Sequence, residues 1–287
     1  MDIMKSFRYD GEKKLKLDEI KTGDTADYDS KDDAIADFNR NIEEMIDEQG
    51  KLFASGEYAL LLIFQAMDAA GKDGAISHAM SGLNPQGTQV YSFKSPSTEE
   101  LKHDFLWREN KCLPERGKIG IFNRSYYEEV LIVRVHDLVE GEHIPKKLTE
   151  NIWEKRYEQI NNFEQYLYEN GIVPVKFFLD ISKGEQKKRL LERIDDKSKN
   201  WKFSESDVHE RQYWDLYQKC YEETINNTAS KYAPWYVVPS DKKWFSRLVI
   251  SEVILNTLKS LGLEYPKLSE EQEKLLEKYR KMLEEDI

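Results

Sequence analysis

Five short, largely apolar runs punctuate the chain: Tyr58–Phe64, Val90–Phe93, Ile119–Phe122, Val173–Leu179 and Trp235–Val238. Each has the length of a strand, and the longer ones lack polar alternation, as suits a strand covered on both faces. Between them, helical patterns run over about Asp73–Ser81, Thr98–Asn110, Ser125–Leu138, Lys147–Asn170 and Lys183–Ile194. Strands alternating with helices predict an α/β fold of three layers, α/β/α, around a mostly parallel five-stranded sheet.

The remaining patterns set the domain organisation. Residues 1–52 read as an acidic helical extension, with Ile35, Phe38, Ile42, Met45 and Ile46 at helical spacing between Asp32 and Phe53. Residues 53–262 form the core. Between the fourth and fifth runs lie about fifty helical residues, more than one crossover needs, so a lid is expected at about 183–232. Trp244–Leu258 packs back as an amphipathic helix. Residues 263–287 end in a helix over Ser269–Ile287, opened by a capping box of Ser269 and Gln272.

Composition narrows the function classes. With 34% charged and 39% hydrophobic residues, the chain is globular rather than disordered. Tyr58–Phe64, the longest apolar run, is too short to cross a bilayer, so no membrane role is expected. The two cysteines, Cys112 and Cys220, make no disulfide framework, and the first ten residues carry no apolar stretch. Both point to a reducing, cytoplasmic setting. The five histidines have no metal-ligand spacing, which argues against zinc.

A net charge of −11 argues against general nucleic-acid binding, but its distribution is uneven. Residues 1–50 carry −7 and residues 264–287 carry −3, leaving the core near neutral. Within that core, Lys183–Lys202 holds eight basic residues against four acidic ones. Such a run is ordinarily a solvated helix face; a polyanion ligand is the sharper reading.

The first apolar run leads into Gln65-Ala-Met-Asp-Ala-Ala-Gly-Lys-Asp-Gly74. A strand, a loop of small residues and then Gly-Lys opening a helix is the context of a phosphate-binding loop. Backbone N–H groups of Ala69, Ala70, Gly71, Lys72, Asp73 and Gly74 can curl around phosphate oxygens, and Lys72 adds a mobile charge. The match to Gly-x-x-x-x-Gly-Lys-Ser/Thr is incomplete: Ala66 replaces the first glycine and Asp73 the hydroxyl residue. Asp68, inside the loop, suits a carboxylate facing magnesium or orienting an attacking group.

The third run feeds Asn123-Arg-Ser-Tyr-Tyr-Glu-Glu129. Ligands of parallel sheets bind at the carboxyl ends of strands, so these side chains are expected to face the same crevice as Lys72. Arg124 can hold two phosphate oxygens, and Glu128 or Glu129 can hold magnesium through water. Ser125 and Glu128 also read as a helix cap and its partner. After the fourth run come Lys187, Lys188, Arg189 and Arg193, with Arg189 and Arg193 on one helix face. A lid helix of this kind closes arginines over a phosphate loop, and Lys199 and Lys202 extend the positive track.

Taken together, Met67-Asp-Ala-Ala-Gly-Lys-Asp-Gly74, Phe122-Asn-Arg-Ser-Tyr-Tyr-Glu-Glu-Val-Leu131 and Asn200-Trp-Lys-Phe-Ser204 closely resemble the polyphosphate kinase 2 family. So do Phe93-Lys94-Ser-Pro96 with His103-Asp-Phe-Leu-Trp-Arg108, and Ala233-Pro-Trp-Tyr-Val-Val-Pro239. The resemblance runs from about Phe53 to Leu258. It implies a P-loop kinase core like that of thymidylate kinase, with a helical lid. It also implies phosphate transfer between inorganic polyphosphate and nucleotides, with magnesium or manganese as cofactor. By motif position, Asp68, Lys72, Asn123, Arg124 and Arg189 are implied at the reacting phosphates, with Lys94 among the polyphosphate contacts. Glu128, where other branches carry Asn, resembles the class III branch, which implies AMP and ADP as acceptors and ATP as product. A homodimer or homotetramer is the implied assembly.

The expected function is therefore a magnesium-dependent, reversible polyphosphate:nucleotide phosphotransferase. An ATP-dependent nucleoside monophosphate kinase on the same fold is one alternative, and it needs a fuller Gly-x-x-x-x-Gly-Lys-Ser/Thr loop. The other is a non-catalytic nucleotide or polyphosphate sensor, which has no need of the retained acids.

Overall fold

The computed structural model describes residues 3–285. All five predicted strands form: β2 (Ala59–Ala66), β3 (Thr88–Ser92), β4 (Ile119–Asn123), β5 (Ile172–Asp180) and β6 (Trp235–Pro239). They are parallel, and a sixth strand, β1 (Arg8–Tyr9), adds antiparallel to β6. Two residues give too little pattern to announce a strand, so β1 escaped the periodicity. The order is β1-β6-β5-β2-β4-β3, with β2 central and buried along almost its whole length.

Among the described residues, seven helices of eight residues or more complete the layers: α1 (Lys31–Ser55), α2 (Lys72–Ala79), α3 (Ile152–Glu169), α4 (Lys183–Asp195), α5 (Trp214–Thr228), α6 (Lys243–Ser260) and α7 (Glu270–Glu284). Helix α1 starts at Ser30, whose side chain accepts from the Asp33 N–H, and stops at Gly56 with φ +59°. That left-handed C-cap is one glycine adopts without Cβ strain. Helix α6 packs against α1, α2 and β6, and α3 packs against β5 and α5. Because α1 covers the outer side of α6, ten of its residues are buried, and it is apolar nearly all round rather than amphipathic.

Two predicted helices are much shorter than expected. Thr98–Asn110 holds only a 3₁₀ turn at Glu100–Lys102 and one α-turn at Trp107–Asn110. His103 between them is extended, and Asp104 Oδ1 accepts the Leu106 N–H at 3.0 Å, drawing the chain into an Asx turn. Ser125–Leu138 begins as 3₁₀ (Tyr126–Val130), kinks at Leu131 and ends in a single turn, Ile132–Val135. Tyr126 and Tyr127 both donate to Glu164 Oε1, at 2.9 and 2.8 Å. Two consecutive side chains held on one acceptor oppose the 100° rotation per residue of an α-helix.

The segment expected to stand off the sheet is mixed in character. Helix α5 buries Trp214, Tyr217, Cys220, Tyr221, Thr224, Ile225 and Thr228, whereas residues 196–213 are mostly exposed. The capping box at Ser269 and Gln272 is present, and no described residue of α7 is buried. The end of the expected C-terminal helix, residues 286 and 287, lies outside the described residues. Among the described residues, no helix is long and apolar enough to cross a membrane.

Candidate active site

The chain passes from β2 to β3 on one side of the sheet and reaches β5 on the other, so a crevice opens at the carboxyl end of β2. There Ala69 takes φ +61° and Gly71 φ +99°, and the Ala70 N–H donates to Met67 O at 3.2 Å. The left-handed Ala69 is strained, a state that persists only where neighbours enforce it. The enforcing neighbour is Arg189. Its Nη1 donates to Ala69 O (3.1 Å) and Ala70 O (2.7 Å), and its Nη2 to Ser240 O (2.6 Å) and Asp241 O (3.1 Å). Nε donates to Glu185 Oε1 at 2.9 Å, so all five guanidinium N–H groups have protein acceptors. Drawing the Ala70 carbonyl toward Arg189 turns the Gly71 N–H the opposite way, because the two dipoles of a peptide are antiparallel.

Lys72 opens α2 and donates to Asn123 Oδ1, and Asn123 Nδ2 donates to Asp73 Oδ1 at 2.9 Å. Burial, with repulsion from Arg124, lowers the Lys72 pKa to about 8, against partial compensation from Glu128, Asp73 and Asp68. Arg124, also left-handed at φ +64°, donates from its backbone N–H to Phe64 O at 3.1 Å. This bond ties the end of β4 to β2 and places the guanidinium Nη2 3.4 Å from Asp68 Oδ1. Glu128 lies half-buried behind Lys72 and Arg124; burial raises its pKa and those two cations oppose the rise. With its amide oriented to the surrounding network, Gln65 Nε2 donates to Glu128 Oε1 at 2.8 Å.

Asp68, Lys72, Asp73, Asn123, Arg124 and Arg189 border a cavity of about 890 Å³, whose wall includes neither Gln65 nor Glu128. Of the expected residues, Asp68 through Gly74, Lys94, Asn123, Arg124, Arg189, Arg193 and Lys202 line it. Arg193 is paired with Asp207 at 2.7 Å, and Lys199 lies 3.1 Å from Asp196.

Four expected residues are off the cavity wall: Glu128, behind Lys72 and Arg124, and three that lie elsewhere. Lys187 and Lys188 border a shallow groove on the outer side of α4, because the helical turn that points Arg189 and Arg193 inward carries their neighbours away. Glu129, expected as a metal ligand beside Glu128, is buried against Arg156, Oε1 to Nε at 2.7 Å, and Arg156 also holds Glu142 at 3.1 Å. Burial and the neighbouring Glu142 raise the Glu129 pKa. Consecutive residues on a tight turn diverge, so only Glu128 faces the cations. Ser125 does cap its turn, accepting the Tyr127 N–H at 3.2 Å, but Glu128 is bonded to Gln65 and does not complete a capping box.

Lys243, Ser246 and Arg247 also line the cavity, and sequence reasoning missed them. The signal was present: two cations four apart follow a strand's carboxyl end, as Lys72 does. Trp201 is a further lining residue with 79% of its surface exposed.

Among the described residues no group of three or more His, Cys, Asp or Glu forms a metal cluster. The donor set still fits magnesium, which commonly takes one or two carboxylates and completes its shell with substrate phosphates and water. Asp68 offers a carboxylate on the cavity wall.

A left-handed loop between a central parallel strand and a Lys-opened helix, with Asn-Arg on the adjacent strand end, defines a P-loop kinase. The polyphosphate kinase 2 family model matches residues 28–265, and the chain belongs to that family. It is 51% identical over 97% of its length to an ADP-polyphosphate phosphotransferase of Rhodopseudomonas palustris, covering 98% of that protein. It is 40% identical over 95% of its length to an AMP/ADP-polyphosphate phosphotransferase of Meiothermus ruber, covering 99% of that one. The crystal structure of polyphosphate kinase 2 from Arthrobacter aurescens superposes with a TM-score of 0.87 at 40% identity, covering 96% of each chain.

Proposed function

We propose that this protein transfers phosphate reversibly from inorganic polyphosphate to nucleoside mono- and diphosphates, taking AMP to ADP and ADP to ATP. One observation carries the choice of donor. The cavity wall holds nine Lys and Arg residues against four Asp and Glu, in a chain whose net charge is −11. A long polyanion needs such a local positive surface; an ATP-dependent kinase needs only a triphosphate's worth. Both relatives accept ADP by name, and one also accepts AMP.

In this reading a terminal phosphate oxygen of the nucleotide attacks the end phosphorus of the chain. The new P–O bond forms as the bridging P–O bond of the chain breaks. The attacking oxygen is already anionic, so no strong base is required, and the protein's work is positioning and charge neutralisation. Lys72 and Arg124 neutralise the transferring group, while Asn123 aims the Lys72 amine. Asp68, with Glu128 supporting the site from behind, would hold magnesium together with the substrate phosphates, and the ion would supply further charge neutralisation.

Arg189 acts in this reading on the loop. An Arg189→Lys variant keeps the charge but cannot span four carbonyls, so turnover is expected to fall by up to about 10²-fold, the scale of a small misplacement. Polyphosphate affinity should stay near wild type. Steady-state kinetics with polyphosphate titrations check this: weakened affinity at preserved turnover would place Arg189 on the phosphates instead. We also include residues 196–213 as the mobile part of a lid, and self-association through α7, whose Leu275, Leu276, Tyr279 and Leu283 are exposed on one stripe.

The test of the whole reading is phosphorus NMR of the purified protein with magnesium, AMP and long-chain polyphosphate, without ATP. ADP and then ATP should appear. Conversion of ADP alone would confine the enzyme to diphosphates. Turnover of AMP only when ATP is supplied overturns the polyphosphate donor.

A further inference from the structure

We propose that Lys243 and Arg247, on the first two turns of α6, form a second phosphate track that grips the polyphosphate chain away from its reacting end. The inference rests on the polyphosphate reading above and extends it to residues that lie outside every motif of the sequence. Four positions apart, the two side chains share one helix face, and both line the cavity of the phosphate loop. A Cβ placed on Gly74 would lie 3.8 Å from Arg247 Nη2, so this guanidinium sits beside the first turn of α2, next to the loop itself.

Five of the other cavity cations are engaged, whereas among the described residues Lys94 and Lys202 share with Lys243 and Arg247 the lack of a hydrogen-bond or ion-pair partner, the Lys202 amine lying over the Trp201 ring at 4.9 Å. Lys72 is bonded to Asn123, Arg124 faces Asp68, Arg193 is paired with Asp207 and Lys199 with Asp196. Arg189 is saturated by five acceptors. Among the described residues, neither the Lys243 nor the Arg247 side chain has a hydrogen-bond or ion-pair partner. The carboxylates that Lys243 feels are Glu192 and Glu185, and these are already engaged by Lys199 at 3.9 Å and Arg189 at 2.9 Å. Partial burial lowers the pKa of both cations, and repulsion from Arg189 lowers that of Lys243 further. Partly desolvated, unpaired cations on a cavity wall are stabilised by an arriving anion.

Position selects the polyphosphate chain over the nucleotide. Arg124 stands at the end of β4, on one side of β2, and α6 follows β6 on the other side. With the transferring group between Lys72 and Arg124 and the acceptor entering on the β4 side, the α6 end of the cavity is left for the rest of the donor.

The experiment compares wild type with Lys243→Ala, Arg247→Lys and the double Lys243→Ala/Arg247→Ala. Equilibrium binding of long-chain polyphosphate is measured across salt concentrations, alongside KM for AMP and ADP. The double variant should bind long chains at least about tenfold more weakly. Its log–log salt slope should be shallower by roughly 0.7–0.9 for each phosphate no longer neutralised, on the scale of other polyanions. Nucleotide KM should stay within about twofold, and tripolyphosphate binding should weaken less than that of long chains. Arg247→Lys keeps its charge, so its salt slope should match wild type even if affinity falls, and Lys243→Ala alters an exposed side chain and should fold normally. Unchanged affinity and slope in a folded double variant, or a shift in nucleotide KM alone, overturns the track. Failure of the wild type to turn over polyphosphate would count against the function, whereas the binding comparison judges the track by itself.

Discussion

Replacing Lys72 with methionine should lower turnover by roughly 10²–10³-fold, the usual loss when one charge-stabilising donor leaves a preorganised site. The amine stands at the start of α2, aimed by Asn123, and nothing else on the loop can follow a moving phosphate. Its titration adds a second signature. With a pKa near 8 in the free enzyme, the amine is charged below that pH and neutral above it. In the proposed mechanism polyphosphate binding requires the charged form, so kcat/KM for the donor should fall tenfold per pH unit above about 8. Bound phosphates favour the ammonium, so kcat should hold to higher pH than kcat/KM. A pH profile from 6 to 10 with wild type and Lys72→Arg checks the assignment. The arginine variant should lose the alkaline limb, whatever its absolute rate. A limb that persists there belongs to another group.

The second large effect is on stability. Lys176 and Glu164 are both fully buried and form an ion pair, with Nζ 2.5 Å from Oε2. The same amine donates to Tyr127 Oη (3.0 Å) and Thr228 O (2.7 Å), so all three of its protons are satisfied. Glu164 in turn accepts from Tyr126 and Tyr127. Lys176→Met should cost about 3–5 kcal/mol, because it leaves the Glu164 carboxylate buried without its countercharge. For a domain of this size the melting temperature should drop on the order of 10 °C. Adding Glu164→Gln should recover much of that loss, since the penalty comes from the stranded charge rather than from the missing bond. Calorimetry of the single and double variants measures both. The network also holds Tyr126 and Tyr127, which lie between Arg124 and Glu128 in sequence. Turnover of the single variant below its melting point should therefore fall as well, which a purely structural pair would not produce.

Much of the site was legible before the fold was known because its geometry is local. A strand of apolar residues, small loop residues and Gly-Lys at a helix start are contiguous, and short-range backbone sterics suffice to arrange them. The same holds for the Asn123–Arg124 pair at the end of β4. Lys187, Lys188 and Glu129 show where this reasoning stops. Their composition suited phosphate or metal, but which way a side chain faces depends on what its element packs against. Helix α4 turns Gln186, Arg189 and Leu190 inward, leaving Lys187 and Lys188 outside. Glu129 meets Arg156 of α3, a residue 27 positions away, and is drawn from the cavity.

By itself the sequence determined the strand–helix alternation, the phosphate loop and the family, because each is written in neighbouring residues through apolar runs, turn chemistry and motif spacing. Only the tertiary structure decided how the charges are shared out. Arg189 is saturated by carbonyls from loops 120 and 51 positions away in the chain, whereas Lys243 and Arg247 reach the same cavity with no partner. A charge's role follows from which acceptors surround it. In a parallel sheet those acceptors arrive from strand ends far apart in sequence, so pairing is settled when the layers pack and not before.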